Sequence, residues 1–122
     1  MPIVDVEIVG DGEPATGSPS AAALADTLGG IFGTAPGRTW VRLRGLPPSA
    51  YAENGIEVSS AGLPVFVTVL HACPPEGDAR AAEVLAVTRA VADWARRDPQ
   101  RVHVQYAPAA AGRQAFGGTL VG

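Results

Sequence analysis

The second residue of the chain is a candidate base. Pro2 follows Met1 directly, and removal of Met1, which a small second residue usually permits, would leave a secondary amine at the start of an apolar stretch. An ordinary α-amino group titrates near ~8, and burial beside cations favours its neutral, proton-accepting form. The chain has no lysine, so this terminus would be the one amine available for proton transfer. The alternative interpretation of Pro2 is a proline tolerated at the beginning of a strand.

Length and composition indicate one soluble domain. The 122 residues, 47% of them hydrophobic, suffice for a core without a metal or a disulfide, and Cys73 has no second cysteine to pair with. Nine arginines are scattered among twelve acidic residues for a net charge of -3, so no basic face predicts a nucleic-acid partner. There is no leader pattern and no apolar run near the ~18 residues of a membrane span. We therefore expect a cytoplasmic protein without a nucleic-acid or membrane partner.

Strand and helix patterns alternate along the chain in an order that occurs twice. Apolar alternation, helical spacing and capping residues define the elements. They are a strand from Ile3 to Val9, a helix capped by Ser18 with Pro19 in its first turn, a strand from Arg38 to Arg44, a strand from Leu63 to Val69, a helix from Asp78 that ends with Arg96 and Arg97, and a strand from Arg101 to Ala107. Each half is therefore a strand–helix–strand (βαβ) unit.

The two halves also match residue by residue. Pro2 corresponds to Pro64 at an offset of 62 residues, and Trp40 corresponds to His103 at an offset of 63. An internal repeat constrains all of its elements together. The sequence therefore predicts one domain over residues 1–122, with pseudo-repeats 1–62 and 63–122. Its class is α+β, in which duplicated βαβ units share a four-stranded mixed sheet with both helices on one face.

The other face of this sheet has no helix to cover it. Alternation places on it a mixture of charged, polar and aromatic residues, namely Asp5, Glu7, Trp40, Arg42, Arg44, Thr68, His103 and Gln105. Trp40 and the apolar tail from Phe116 to Val121 indicate burial by other subunits. The linker from Leu46 to Gly62 would form an arm or hairpin that reaches a neighbour. We therefore expect an oligomer.

With these features the chain resembles the tautomerase superfamily, in particular its longer members built from two βαβ units, similar to macrophage migration inhibitory factor and 4-oxalocrotonate tautomerase. The resemblance covers nearly the whole chain. It depends on the Met1-Pro2 opening and on the stretches Leu63 to His71, Arg101 to Tyr106 and Ala115 to Gly118. It implies a homotrimer with sites at subunit interfaces and no cofactor. It also implies that Pro2 is a catalytic base that moves a proton between the enol and keto forms of a small, carboxylate-bearing substrate.

The resemblance extends to further site residues. Arg42 would be the second catalytic residue, because its planar guanidinium suits a carboxylate; its alternative role is an ion pair with Asp5 or Glu7. The residues expected to bind substrate are Trp40, Arg44, Glu53, His103, Gln105 and Phe116. No metal ligand is expected. His103 could equally be an interface histidine, and Phe116 could serve only to dock against a neighbour.

Two other functions stay open at this point. Superfamily dehalogenases add water to halogenated acrylates with a glutamate near the place of Glu53, although this chain lacks their pair of neighbouring arginines. Glu53 is otherwise a solvated turn residue. The second alternative is a non-catalytic trimeric binding protein. It would follow from retention of Met1, because the Pro2 nitrogen would then be an amide without a usable lone pair.

Overall fold

Two βαβ units follow one another in the computed structural model, which describes residues 1–10 and 20–122. The main elements are β1 (Pro2–Val9), α1 (Ala21–Phe32), β2 (Trp40–Leu46), β3 (Val65–His71), α2 (Gly77–Ala95), β4 (Val102–Tyr106), β5 (Ala115–Phe116) and β6 (Thr119–Leu120). Short 3-10 turns cover Pro48–Ala50, Ser60–Gly62 and Pro99–Arg101. Among the described residues no helix is long and apolar enough to cross a membrane.

The main sheet has four strands in the order β2-β1-β3-β4. The two outer pairs are parallel, and the central β1–β3 pair is antiparallel. Each parallel pair belongs to one βαβ unit, whose helix forms the crossover between the strands. The predicted α+β class and the four-stranded mixed sheet are confirmed.

The core lies between the helices and one face of the sheet. Leu24 and Leu28, one turn apart on α1, and Val87 and Val91 on α2 are buried against the sheet valines. Those strand residues are Val4, Val6, Val65, Val67, Val69 and Val102. Helical spacing along α2 also predicts that Leu85 is buried, but this is wrong, because its exposed fraction is 49%.

The helix ends differ from the prediction at two places, the cap of α1 and the end of α2. Ser20 caps α1 by accepting a hydrogen bond from the Ala23 backbone at 3.2 Å, whereas the predicted cap at Ser18 lies outside the described residues. α1 ends at Gly33, where a glycine after the apolar stripe predicts a left-handed cap, and its φ of 67° is left-handed. α2 ends at Ala95, and Arg96 takes a left-handed conformation with a φ of 56°. Arg96 and Arg97 therefore follow the last turn of α2 and do not form it.

Two arginines bind backbone carbonyls at the end of the sheet where β1 finishes and β3 begins. The Arg97 guanidinium donates to the carbonyls of Val9 and Leu63 at 2.9 and 2.7 Å. Arg101 donates from Nε to the Gly62 carbonyl at 2.5 Å. These carbonyls lie where the strands end, so a guanidinium with several donors satisfies groups that would otherwise lose hydrogen bonds.

The sheet register corrects the predicted offset between the first strands of the two halves. Val4 pairs with Val41, and Val67 pairs with Val104, so both partners are 37 residues apart (41 − 4 and 104 − 67). An offset of 63 matches the buried Val4 with the buried Val67. The predicted offset of 62 matches Val4 with Phe66, which lies on the opposite face, because a slip of one residue exchanges the faces of a strand.

Candidate functional site

Pro2 is the first residue of β1, and its side chain is fully buried. It lies on the helix-covered face with Val4 and Val6, since alternate residues of a strand share a face. Its partner across the antiparallel pair is His71, the last residue of β3. A proline is tolerated here because the first strand residue can lack an N–H without loss of a ladder bond. The nitrogen of Pro2 would become an amine at the end of the sheet once Met1 is removed.

The face of the sheet opposite the helices, here called the open face, carries the eight residues predicted for it. The register aligns them in rows across the strands. One row contains Trp40, Ile3 and Leu70, the next contains Arg42, Asp5, Thr68 and Gln105, and the third contains Arg44, Glu7, Phe66 and His103. The prediction of this face from alternation is confirmed.

Arg42 forms the ion pair with Asp5 that the sequence left open as its alternative role. Nε and one terminal nitrogen of Arg42 donate to the two carboxylate oxygens of Asp5 at 2.6 and 2.8 Å. This hydrogen bonding, together with the charge of Asp5, raises the pKa of Arg42. The side chain is nevertheless 69% exposed, so the guanidinium faces solvent beyond Asp5. Asp5 lies three residues after Pro2, about 10 Å along the strand.

Two of the predicted substrate-binding residues contact each other near the Pro2 end of the sheet. The rings of Trp40 and Phe116 are stacked with centroids 4.5 Å apart and planes 19° apart. The β5–β6 ribbon positions Phe116. Its turn residues Gly117 and Gly118 have positive φ values of 57° and 89°, which glycine adopts without strain. The structure therefore joins the C-terminal tail to β2.

Glu53 is placed away from Pro2 within the chain. Its carboxylate accepts hydrogen bonds from the hydroxyl of Tyr51 at 2.6 Å and from Arg101 at 2.7 Å. These two hydrogen bonds, that of Tyr51 first, lower the pKa of Glu53, and the same contact with Glu53 raises the pKa of Tyr51. Arg101 precedes β4 at the beginning of β3, whereas Pro2 lies at the end of β3, about 20 Å along the strand. Glu53 begins a turn closed by a bond from the Ile56 backbone N–H to its carbonyl, and its side chain is 31% exposed, so the expected solvated turn position agrees with the structure while the carboxylate is bound by Tyr51 and Arg101.

His103 and Gln105 line a shallow cleft between β3 and β4. The cleft has a volume of about 250 Å³, and its walls include Phe66 and Thr68. Gln105 donates to the Thr68 hydroxyl at 3.1 Å, and the His103 ring lies 5.4 Å from that of Phe66. Both predicted residues are exposed here, while Arg44 is exposed on the far strand β2. The structure thus divides the predicted substrate-binding residues among the Trp40–Phe116 stack, this cleft and the Glu53 contacts.

A polar cluster on the helix-covered face was missed by the sequence interpretation. Glu83 of α2 accepts a short hydrogen bond from the Tyr106 hydroxyl and lies 3.4 Å from Nε2 of His71. The His71 and Glu83 side chains are only 14% and 13% exposed. Burial, followed by the hydrogen bond to Glu83, raises the pKa of Tyr106, so its hydroxyl keeps its proton and donates. We refer to these three residues as the His71–Glu83–Tyr106 cluster. Strand alternation extended to His71 was the signal that could have placed it opposite α2.

The described residues were also compared with the requirements of a metal-ion site. In residues 1–10 and 20–122 no group of three or more His, Cys, Asp and Glu side chains is arranged to hold a metal ion.

Comparison with known proteins identifies the fold. No family model and no curated protein matches the sequence. Solved structures do match. A fused 4-OT symmetric trimer has a TM-score of 0.77 at 18% identity, over 98% of this chain and 94% of that one. The protein Pt0534 inactivated by 2-oxo-3-pentynoate has a TM-score of 0.76 at 15% identity, over 97% and 94%. Macrophage migration inhibitory factor from Oncomelania hupensis has a TM-score of 0.72 at 18% identity, over 100% and 83%. The chain therefore has the fold of the 4-OT and macrophage migration inhibitory factor structures, as the resemblance in its sequence implied.

Proposed function

We propose that the protein is a proline-based tautomerase that converts enol and keto forms of a small, carboxylate-bearing substrate. One observation carries this proposal. Pro2 is fully buried as the first residue of β1, one peptide bond from the terminus, in a chain with the fold of 4-OT and macrophage migration inhibitory factor. A buried amine beside cations is favoured in the neutral form that a base requires.

The proposed reaction needs one base and one anion-binding group. The neutral Pro2 amine removes the hydroxyl proton of the enol. The resulting ammonium delivers a proton to the double-bond carbon that does not bear the oxygen, which gives the keto form and regenerates the amine. Charge develops on the substrate oxygen during this transfer and is stabilised by a cation already in place. Arg42 is our candidate for that role and for binding the substrate carboxylate, because its charged guanidinium is exposed on the open face.

We also propose that the active form is a homotrimer with its sites at subunit interfaces. The open face and the tail expose large apolar side chains, with Phe66 37% and Leu120 62% exposed. Such exposure favours burial by a partner. The fused 4-OT neighbour is described as a trimer. Trp40 is close to Pro2 within the chain, whereas His103 lies toward the far end of the sheet, so a second copy would have to bring His103 and Gln105 to Pro2.

Hydration through Glu53 is not part of this proposal. Its carboxylate is engaged by Tyr51 and Arg101 at the opposite end of the sheet. Both hydrogen bonds are accepted by Oε2, so Oε1 could still activate a water, but only if a second copy brought Glu53 to Pro2.

The fate of Met1 tests the proposal directly. We expect the intact mass of protein produced in its own host to lack Met1. Treatment with 2-oxo-3-pentynoate, the inactivator in the Pt0534 structure, should then add one reagent mass to the peptide that begins with Pro2. The amine attacks the alkyne, an N–C bond forms, and the amine proton moves to carbon without a leaving group. Protein that carries an N-terminal tag is the control and should stay unmodified. Retained Met1 in the native protein would favour the non-catalytic binding protein.

Arg42 and Asp5 form a matched pair of variants for the carboxylate-binding role. Arg42→Gln should raise KM for a carboxylate substrate by about tenfold or more, the typical effect of losing a hydrogen bond to a charged group. Asp5→Asn breaks the same ion pair but leaves the guanidinium free, so KM should not rise. Steady-state kinetics on both variants give the comparison. An equal rise in KM for both would show that the ion pair acts only by supporting the sheet.

A further inference from the structure

The two helices differ in length at the end of the sheet where Pro2 lies. α1 has 12 residues and α2 has 19. The offset of 63 residues that aligns the strands superimposes Phe32, the end of α1, on Ala95, the end of α2. The seven additional residues of α2 therefore lie at its beginning. They include Arg80 and Glu83, which contact the last residues of β3 and β4.

These additional residues bring a carboxylate to His71, the partner of Pro2 in the sheet. Glu83 binds His71 and Tyr106, and His71 is directly opposite Pro2 in the β1–β3 pair. Directly opposite residues of an antiparallel pair share a face, with Cβ atoms about 5 Å apart. The imidazole held by Glu83 therefore packs next to the Pro2 ring.

The other end of the sheet provides an internal comparison. With the offset of 63 residues, Ile8 stands in the place of His71 and Leu43 in the place of Tyr106, and both are partly buried apolar residues packed on the core. An apolar pair is thus sufficient for the fold at that end. A nearly buried carboxylate costs free energy unless its hydrogen bonds offset the loss of water. Among residues 1–10 and 20–122 the cluster occurs only at the Pro2 end, which suggests that it serves Pro2 more than packing.

We propose that Glu83, held in place by His71 and Tyr106, tunes the proton affinity of the Pro2 amine. The proposal rests on the tautomerase function above. A general base works best when it titrates near the working pH. Cations that bind a carboxylate substrate lower the proton affinity of a nearby amine, and a buried anion raises it again. His71, Glu83 and Tyr106 are positioning residues in this scheme, and Pro2 remains the catalytic one.

The charged and titratable groups around the cluster determine whether the proton affinity of the Pro2 amine is raised or lowered. α2 contributes Glu83 and Arg80, and the Arg80 guanidinium lies 5.4 Å from the centre of the Tyr106 ring while its Nε donates to the Pro75 carbonyl at 2.7 Å. β4 contributes Tyr106. α1 contributes the ring of Phe32, 5.1 Å from that of His71, which carries no charge. Glu83 therefore raises the proton affinity of the amine, and Arg80 lowers it.

Titration of Pro2 by NMR in protein labelled with ¹⁵N-proline tests this inference. Glu83→Gln should lower the titration midpoint of the Pro2 nitrogen by about one pH unit, a tenfold change in proton binding. The acid limb of the pH profile of kcat/KM should move in the same direction. Arg80→Gln should raise the midpoint, although by less, because its guanidinium contacts the Tyr106 ring and the Pro75 carbonyl, whereas Glu83 contacts His71, the sheet partner of Pro2. Asp93→Asn, which removes an exposed carboxylate of the same helix, is the control and should leave the midpoint unchanged.

The outcomes separate this inference from the function on which it rests. A Pro2 nitrogen that does not titrate, because Met1 is retained, would overturn the proposed function. A Pro2 amine that titrates at the same pH in the parent, in Glu83→Gln and in Arg80→Gln would overturn only the inference. If Glu83→Gln fails to fold, the Arg80→Gln protein decides alone, since an unchanged or lowered midpoint in that variant also contradicts the proposal.

Discussion

Replacement of Pro2 by alanine is expected to lower kcat/KM for the enol–keto conversion of phenylenolpyruvate by at least about 100-fold. The size follows from the typical contribution of a general base, ~10² to 10⁴ in rate. Alanine also permits removal of Met1, so an amine remains at the terminus. It lacks, however, the buried ring that fixes the position of the nitrogen. The measurement is the rate of ketonisation, monitored by the absorbance of the enol.

A second proline provides the control for this prediction. Pro64 is also fully buried, and it precedes β3 at the opposite end of the sheet. Pro64→Ala removes the same ring without touching the terminus, so turnover per folded molecule should stay near that of the parent. An equal loss in both variants would mean that packing, and not the amine, explains the effect of Pro2→Ala. Full activity of Pro2→Ala would rule out Pro2 as the base.

Leu28→Ala is expected to cost about 2–5 kcal/mol of unfolding free energy, the range measured for buried leucines that are truncated to alanine. Leu28 is 0% exposed and packs between α1 and the central strands, so the substitution leaves a cavity in the core. Urea denaturation at a fixed protein concentration measures the effect, since subunit association would otherwise change the apparent stability.

The same substitution at Leu85 gives the matched control. Leu85 is 49% exposed on α2, and Leu85→Ala should change the unfolding free energy by less than about 1 kcal/mol. A loss at Leu85 as large as that at Leu28 would show that Leu85 is buried in solution, as at a subunit interface. A small loss at Leu28 would contradict the core described above.

The fold was predictable because strand alternation and the internal repeat both indicate the same strands and helices. Val4 and Val6 alternate with Asp5 and Glu7, and this pattern alone assigned the two faces of β1. The end of α1 was equally clear, since Gly33 takes the left-handed conformation that glycine favours. The prediction failed for the offset between the first strands of the two halves. Pro2 and Pro64 match by residue type. Aligning the strands on this match is nevertheless wrong, because it pairs buried residues of one strand with residues on the opposite face of the other.

The candidate site was less predictable, because its contacts join residues far apart in sequence. Glu53 and Arg101 are separated by 48 residues, and no local pattern links them. Glu83 was not singled out from the sequence, and only the fold brings it to Tyr106 and His71. Trp40 and Phe116 were each expected near the substrate. Their stacking depends on the path of the tail, which two glycines determine.

The location of the arginine contacts suggests how this protein could tolerate evolutionary change. Arg97 and Arg101 secure the chain where β1 finishes, a full strand length from Pro2. Mutations that adapt an enzyme to a new substrate often sacrifice stability. In this molecule such mutations would change contacts at the Pro2 end of the sheet. The contacts of Arg97 and Arg101 with backbone carbonyls at the other end would stay intact. Directed evolution of the residues around Trp40 and Phe116 would therefore leave the stabilising contacts of Arg97 and Arg101 unchanged.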